Sequence, residues 1–253
     1  MARMGAKKHV KRLASPRLWQ IRRKETMWAP RTRPGPHPLN KSIPLQIIIR
    51  DMLGHAKTIR ETKKVLADGN VFVDGIIRKD LRFPVGLMDI IEIKKIDTFY
   101  RILPHPTKEL ILHEIEKEEA KFKLCQITNK VTVKKGNIQL NLHDGRNILL
   151  KVQDSTNPTE DIYKTRDVLQ LALPNYEIIN NLKFEEKAHA IIIGGKNAGL
   201  VGRINEIEKR IGYHASVVTL ENPQGELFET ALEYAFPIGD IEPIISLPQY
   251  SLF

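Results

Sequence analysis

The sequence predicts an α+β multidomain chain with a disordered basic N-terminal arm, a helix-helix-hairpin module, a β-rich central domain and a further β-rich part toward the C-terminus. Basic residues are concentrated in the first 41 positions, and helical periodicity is confined to residues 43–69. Short β-type runs separated by turn signals follow toward the C-terminus. At 253 residues, the chain is long enough for two or more small domains with their own cores. We place the segments at residues 1–42, 43–97, 98–174, 175–220 and 221–253.

The formal net charge of +10 is unevenly distributed. Residues 1–41 contain twelve Lys or Arg residues and a single acid, Glu25, which gives +11, whereas the remaining residues sum to −1. Because the excess positive charge lies in one terminal segment, the sequence predicts a polyanionic partner bound by an extended arm.

The arm is predicted to remain disordered until it binds its partner. It has few apolar residues, and four prolines between Pro30 and Pro38 oppose both helix and strand formation. Its basic residues alternate with aromatic rings that can stack on bases or bind cations, which favours RNA over the alternative of a solvated leader or localisation signal. Deleting residues 1–41 is therefore expected to leave a folded body. The predicted RNA contacts are Arg3, Lys7, Lys8, Lys11, Arg12, Arg17, Trp19, Arg22, Arg23, Trp28, Arg31, Arg33, His37 and Lys41.

Two helices and a hairpin are predicted in residues 43–97. Ser42 is expected to cap the first helix, whose apolar stripe ends before Gly54. The second helix should begin at Thr58, because Glu61 completes the capping-box spacing, and it should end at a glycine at position 69.

A hairpin and a closing strand should follow the second helix. Asp74-Gly75 lies between the apolar runs 71–73 and 76–77, which is the signal for a type I′ turn, and residues 87–93 are expected to form the closing strand.

One face of the second helix is basic. Arg60, Lys63 and Lys64 lie away from the apolar stripe, and further basic residues are close in sequence. We expect these side chains to contact phosphates and set the register, while RNA shape provides most of the selectivity. The alternative is that they only keep the helix soluble. The predicted RNA contacts of this module are Lys57, Arg60, Lys63, Lys64, Arg78 and Lys79.

The rest of the chain is predicted to be mostly β-structure. Runs at 100–103, 109–115, 122–128, 131–133, 138–142 and 147–152 have strand character, and Asp144-Gly145 marks a second hairpin. Residues 114–121 fit either a helical turn or a connector, and residues 154–158 form a loop. Beyond residue 174, strands are expected at 188–193 and 200–206 around a glycine loop, followed by a hairpin from strands at 216–220 and 227–236.

Several kinds of site are excluded by the sequence. The single cysteine, Cys125, cannot form a disulfide framework or a Cys-based zinc module, and it suits a reducing intracellular compartment. Gly194-Gly195-Lys196 lacks the remaining residues of a phosphate-binding loop, and the eight histidines have no metal-ligand spacing. Asp74, Asp89 and Asp144 are explained by turn or strand-start chemistry. We therefore expect no catalytic residues, metal, cofactor, small-molecule substrate or membrane span.

Two parts of the chain resemble known modules. Residues 43–97, with Val71-Phe72-Val73-Asp74-Gly75 and Gly86-Leu87-Met88-Asp89-Ile90-Ile91, resemble the small RNA-binding domain named after ribosomal protein S-four. Residues 188–206 resemble the KOW motif, a small β-barrel module in which a loop glycine, here Gly199, is flanked by basic residues, here Lys196 and Arg203. This second resemblance adds Lys196 and Arg203 to the predicted RNA contacts.

The order of these modules, together with Gly5-Ala6-Lys7-Lys8-His9 and Gly35-Pro36-His37, resembles the S-four-e family of small-subunit ribosomal proteins. The resemblance implies a cytoplasmic, non-enzymatic constituent of the small ribosomal subunit. Its implied partners are small-subunit ribosomal RNA and neighbouring small-subunit ribosomal proteins. Two alternatives stay open at this point. They are an RNA-modifying enzyme with the same module, and a ribosome- or transcription-associated RNA-binding factor.

Overall fold

The computed structural model describes residues 9–152, 161–210, 215–240 and 242–248. This part of the chain is mostly β-structure with few helices, and its strand pairs are antiparallel. The strands of the N-terminal half are β1 (Val10–Lys11), β2 (Trp28–Ala29), β3 (Ser42–Pro44), β4 (Val71–Val73), β5 (Ile76–Ile77), β6 (Pro84–Gly86), β7 (Ile90–Ile93), β8 (Thr98–His105) and β9 (Glu109–Ile115). Those that follow are β10 (Phe122–Thr132), β11 (Ile138–Leu142), β12 (Asn147–Leu150), β13 (Val168–Ala172), β14 (Ile178–Leu182), β15 (His189–Ile192), β16 (Val201–Glu208), β17 (Val217–Glu221), β18 (Leu227–Ala231) and β19 (Ala235–Gly239).

Three five-stranded sheets form the framework. Their strand orders are β5-β4-β7-β8-β9, β12-β11-β10-β13-β14 and β18-β17-β16-β15-β19. Two short ribbons are separate from these sheets: β1-β2 pairs two segments of the arm, and β3-β6 pairs the start of the helical module with residues that precede β7. The third sheet contains the predicted glycine-loop strands and has β18 and β19 as its outer strands.

All four predicted segment boundaries fall inside a sheet. The boundaries after residues 42 and 220 cut through β3 and β17, and those after 97 and 174 separate neighbouring strands of one sheet. The boundaries were predicted from changes in composition along the chain. Composition does not show which strands pair with one another, so it could not place the boundaries between sheets. The run 114–121 divides into the end of β9 and a 3₁₀ turn at Glu119–Lys121, and the loop 154–158 lies outside the described residues.

The first helix differs from the prediction. Helix α1 (Leu45–Ile47) continues directly into a π-helical turn at Ile48–Met52, and no side chain caps its N-terminus. The hydroxyl of Ser42 donates instead to the carbonyl of Pro38 at 2.9 Å, because Ser42 lies two residues too early, in β3. The apolar stripe was correctly located, since the buried side chains of this segment form part of the main core.

The second helix and the hairpin confirm the local signals. Helix α2 (Ile59–Ala67) begins with a complete capping box, in which Glu61 N–H donates to Thr58 Oγ1 at 3.3 Å and Thr58 N–H to a Glu61 carboxylate oxygen at 3.4 Å. Asp74 and Gly75 have φ values of +52° and +74°, as a type I′ turn requires. The closing strand β7 begins three residues later than predicted, after a turn in which Met88 has φ +62°.

The arm is ordered from residue 9, so the prediction of a disordered arm is wrong for this part. Its backbone pairs in the β1-β2 ribbon, and the side chains of Leu18, Trp19 and Ile21 are buried in the same core as α1 and α2. Gln20 also donates to the carbonyl of Leu110 in β9 at 2.9 Å. The arm has few apolar residues, but several of them are buried in this core, so deleting residues 1–41 would remove part of it.

Candidate nucleic-acid interface

The exposed side of α2 carries Arg60, Lys63 and Lys64, and Lys57 lies just before the helix; we call these four cationic side chains the α2 basic face. All four residues are exposed, whereas Thr62 and Leu66 on the opposite side are buried. None of the four forms an ion pair with a residue that the structure describes. These charges are therefore available to an external polyanion.

The two predicted contacts after the hairpin have different environments. Lys79 is exposed, but the guanidinium carbon of half-buried Arg78 lies 4.4 Å from the ring centroid of Phe83. This cation–π contact holds the Arg78 side chain against its own domain and leaves only part of it available to a ligand.

Most of the described arm cations are at the surface. Lys11, Arg17, Arg22, Arg33 and Lys41 are exposed, and Arg31 is half-buried. The guanidinium group of Arg33 forms an ion pair with Asp80 at 2.8 Å. Arg3, Lys7 and Lys8 lie outside the described residues.

Two arm arginines are structural, contrary to the prediction that they contact RNA. The buried guanidinium group of Arg12 donates to Thr26 Oγ1 at 2.8 Å, to Glu25 at 3.1 Å and to the carbonyl of Arg22. Arg23 is half-buried and donates to the carbonyls of Ser15 and Pro16. The guanidinium N–H groups of both arginines donate to other residues of the arm, and they hold together loops that lack regular backbone pairing.

The two tryptophans have opposite roles, although the sequence treats them alike. Trp19 is 1% exposed, and its indole N–H donates to the carbonyl of Ser42 at 2.7 Å, so the prediction that it stacks on RNA bases is wrong. Trp28 is 53% exposed on the β1-β2 ribbon, where it is opposite Lys11. Only Trp28 can offer its ring to a base.

His37 is also buried, which contradicts its prediction as an RNA contact. Its Nε2 lies 3.1 Å from the carboxylate of Asp89. Burial lowers the pKa of His37, but the adjacent Asp89 carboxylate outweighs it, and the net shift is upward from the usual value of 6.5. A Cβ atom at Gly86 would approach the His37 ring to 2.4 Å, so this glycine is needed for the close contact.

His37 belongs to a buried charge cluster centred on Lys123. The ammonium group of Lys123 lies 2.7 Å from Asp74, 2.5 Å from Asp89 and 3.3 Å from Asp144. Each aspartate uses its other oxygen to accept a backbone N–H, those of Ile90, Gly86 and Arg146 respectively. The predicted turn chemistry accounts for one oxygen of Asp89 and one of Asp144, whereas the corresponding oxygen of Asp74 accepts from Ile90, which is distant in sequence. The other oxygen of each aspartate binds a lysine that was not predicted from the sequence.

The cluster stabilises charge in the interior. Burial opposes the charge on Lys123, but Asp89 and Asp74 together hold its pKa well above the usual value. Burial likewise opposes the charge on Asp89, yet His37 and Lys123 hold the pKa of its carboxyl group well below the usual range. Lys123 and Arg146 provide two positive charges for the three carboxylates, and His37 provides a third when it is protonated.

The cluster has titratable groups but no access for a substrate. Lys123 is fully buried, and Asp74, Asp89 and Asp144 are buried around it. In the described ranges, no group of histidine, cysteine or acidic side chains has the arrangement of a metal site. Nor does any helix in them reach the length and apolar character needed to cross a membrane.

The predicted glycine loop packs on another sheet. Gly199 has φ +85°, and a Cβ atom there would lie 2.8 Å from Pro106 and 3.2 Å from the carbonyl of Pro104 at the end of β8. Lys196 is exposed on this loop, and exposed Arg203 donates to the carbonyl of Lys187 at 3.0 Å. Glycine is required both by the backbone angle and by the approach to β8.

The capped helix, the hairpin and the exposed cations of the α2 basic face lie within residues 43–91, which match the S4 domain. Residues 4–40 match the RS4NT (NUC023) domain, and residues 96–178 match the ribosomal family S4e. The chain is 53% identical over 249 residues to small ribosomal subunit protein eS4 of Staphylothermus marinus, covering 98% of this chain and 99% of the relative. It is 50% identical to the protein of that name in Desulfurococcus amylolyticus, with the same coverage.

A solved structure shows the same fold. The crystal structure of the 30S ribosomal protein S4e from Thermoplasma acidophilum aligns with a TM-score of 0.66 at 32% identity, covering 79% of this chain and 96% of that one. The chain belongs to the ribosomal protein S4e family. This confirms the predicted resemblance and, with it, the expectation of a structural rather than enzymatic constituent of the small ribosomal subunit.

Proposed function

We propose that this protein binds ribosomal RNA in the small subunit through the α2 basic face and contributes to translation as a structural constituent. The observation that carries this proposal is the set of four exposed cations without ion-pair partners among the described residues, three on one side of a capped helix and one just before it. Relatives named small ribosomal subunit protein eS4, matched over nearly their whole length, support the same assignment.

The α2 basic face is suited to the RNA backbone. Its side chains are long, solvated cations that neutralise phosphates and release counterions without a large desolvation cost. The capping box and the buried side of α2 fix the helix on the module, so the cations are presented at defined spacings. Such contacts position the protein on an RNA surface and read its shape rather than its sequence.

Further cations extend the proposed surface. On the arm, they are Lys11, Arg17, Arg22, Arg31, Arg33 and Lys41, together with Arg3, Lys7 and Lys8 on sequence grounds alone. Lys79 and the accessible part of Arg78 continue it beyond the hairpin. We also assign the sheet β15–β19 to a KOW-type module whose Lys196 and Arg203 contact RNA. The predicted segments then describe functional regions of a cytoplasmic protein that also contacts neighbouring small-subunit proteins.

Charge reversal tests the α2 basic face. We expect Arg60→Glu, Lys63→Glu and Lys64→Glu combined to weaken binding to small-subunit ribosomal RNA and to reduce the slope of log affinity against log salt by about three. The matched control reverses three exposed lysines elsewhere, Lys117, Lys164 and Lys183, with the same change in net charge. Equal effects of the two triple variants would remove α2 from the interface.

Sucrose-gradient sedimentation tests the place of the protein in the particle. A structural constituent remains stoichiometric in small subunits washed at high salt. Loss of the protein during the wash would instead indicate an associated factor and contradict the proposal.

A further inference from the structure

A cleft of about 990 Å³ separates the arm from the start of α2. One wall is formed by the arm residues around β2, and the other by the residues that lead into α2. We call it the arm–helix cleft. Lys57 lines this cleft and also belongs to the α2 basic face, whereas Arg60, Lys63 and Lys64 do not line the cleft.

The walls of the arm–helix cleft present large apolar side chains to solvent. Met27, Trp28 and Ile59 are 69%, 53% and 53% exposed, and all three line the cleft. A single exposed apolar side chain needs no explanation, but several around one concave surface indicate a ligand-binding site. The Trp28 ring is additionally supported by His9, with 5.6 Å between ring centroids.

The cleft is also positively charged. Arg22, Lys57 and Arg82 are exposed lining residues, and none of them pairs with an acidic side chain in the described part of the chain. The two acids of the lining, Glu25 and Asp51, are already paired with Arg12 and Arg50. A third acid nearby, Glu61, does not line the cleft and accepts the backbone N–H groups of Lys57 and Thr58.

We propose that the arm–helix cleft binds an unpaired RNA nucleotide, with its base stacked on Trp28 and its flanking phosphates on Arg22, Lys57 and Arg82. An aromatic platform beside unpaired cations is the arrangement that holds splayed bases. An acidic peptide would satisfy the cations but would make no specific use of the indole ring. The proposal rests on the proposed function and adds a second mode of contact, in which α2 binds duplex backbone and the cleft binds a single-stranded nucleotide.

The test uses the full chain and two RNA probes, a single-stranded oligouridine and a blunt, fully paired RNA hairpin. Trp28→Ala should weaken oligouridine binding about 5- to 150-fold, the range for loss of one base–aromatic stack, and should change hairpin binding less than twofold. Trp28→Phe should retain most of the affinity, because it keeps a ring. The matched control is Ile179→Ala, which truncates a side chain that is 57% exposed on β14.

Tryptophan fluorescence provides a direct readout of stacking. Because Trp19 is buried, quenching by oligouridine should come from Trp28 and should disappear in Trp28→Ala. Unchanged oligouridine affinity in Trp28→Ala would overturn the cleft proposal. If the α2 charge reversal still weakened hairpin binding in that case, the proposed function would stand without the cleft.

Photo-crosslinking in assembled small subunits distinguishes RNA from protein occupants. A benzoylphenylalanine placed at position 28 should attach to ribosomal RNA. Attachment to a ribosomal protein instead would show that the cleft holds a polypeptide, and would overturn the proposal.

Discussion

The ammonium group of Lys123 donates a hydrogen bond of 2.7 Å to Asp74, although 49 residues separate the two along the chain. Asp74 lies in the type I′ turn of the helical module and Lys123 in the central strand β10. Asp89 extends the contact to His37 of the arm, and Asp144 extends it to the turn between β11 and β12. One buried lysine thus joins parts of the chain that the sequence divides into three segments.

Replacing this lysine should be strongly destabilising. Lys123→Met removes the positive charge but leaves three buried carboxylates, and we expect a loss of about 3–5 kcal/mol in the free energy of unfolding. Urea denaturation measures the loss. Lys121→Met, at an exposed position two residues away, is the control and should change the free energy by less than about 0.5 kcal/mol. Similar effects of the two substitutions would show that the cluster does not hold the fold together.

His37 should make stability decrease as pH rises above 6.5. Its folded-state pKa is raised above 6.5 by Asp89, so protonated His37 stabilises the fold fully below pH 6.5, and this contribution is lost as pH rises through the folded pKa. His37→Gln should therefore flatten the stability profile above pH 6.5. The readout is the difference in unfolding free energy between the two proteins across that range, with His55→Gln, at an exposed site, as the control. A constant difference would contradict the assignment.

His143 should have the opposite effect on the pH dependence of stability. Burial lowers its pKa to about 4, and its contacts fit a neutral ring that accepts from Gln126 N–H at Nδ1 and donates to the carbonyl of Leu87 at Nε2. Its contribution is present above pH 6.5 and is lost as pH falls toward 4, because the unfolded state binds the proton first. Wild type should lose at most about 3 kcal/mol relative to His143→Gln over this interval. Parallel acid-unfolding curves would show that the ring is protonated in the fold.

Substitutions of the two tryptophans should have different effects on stability. Trp19→Ala removes a ring from the main core together with its hydrogen bond to Ser42, and should cost about 3–5 kcal/mol. Trp28→Ala should cost no more than about 0.5 kcal/mol, because its side chain is exposed. Thermal unfolding of both variants under the same conditions is sufficient. A comparable cost for Trp28→Ala would mean that its ring also supports the core, and that RNA-binding losses in that variant require correction for stability.

Local features were predictable because their physical causes are local. The capping box of Thr58 and Glu61 and the turn at Asp74-Gly75 depend on a few adjacent residues, and both form as predicted. The same reasoning failed for Ser42, whose hydroxyl has a competing acceptor in Pro38. Residues with identical local signals, such as Trp19 and Trp28, could not be distinguished, since only distant packing partners decide which ring is buried.

The sequence by itself determined the charge asymmetry, the capped basic helix, the hairpin and the resemblance to a family of ribosomal proteins. Each of these depends on residue identity and short spacing. The tertiary structure alone decided that the arm is part of the core, that Arg12 and His37 are structural, and that Trp28 faces a basic cleft. It also brought Lys123 to three aspartates, because a buried charge is tolerated only where distant strands supply its counter-charges.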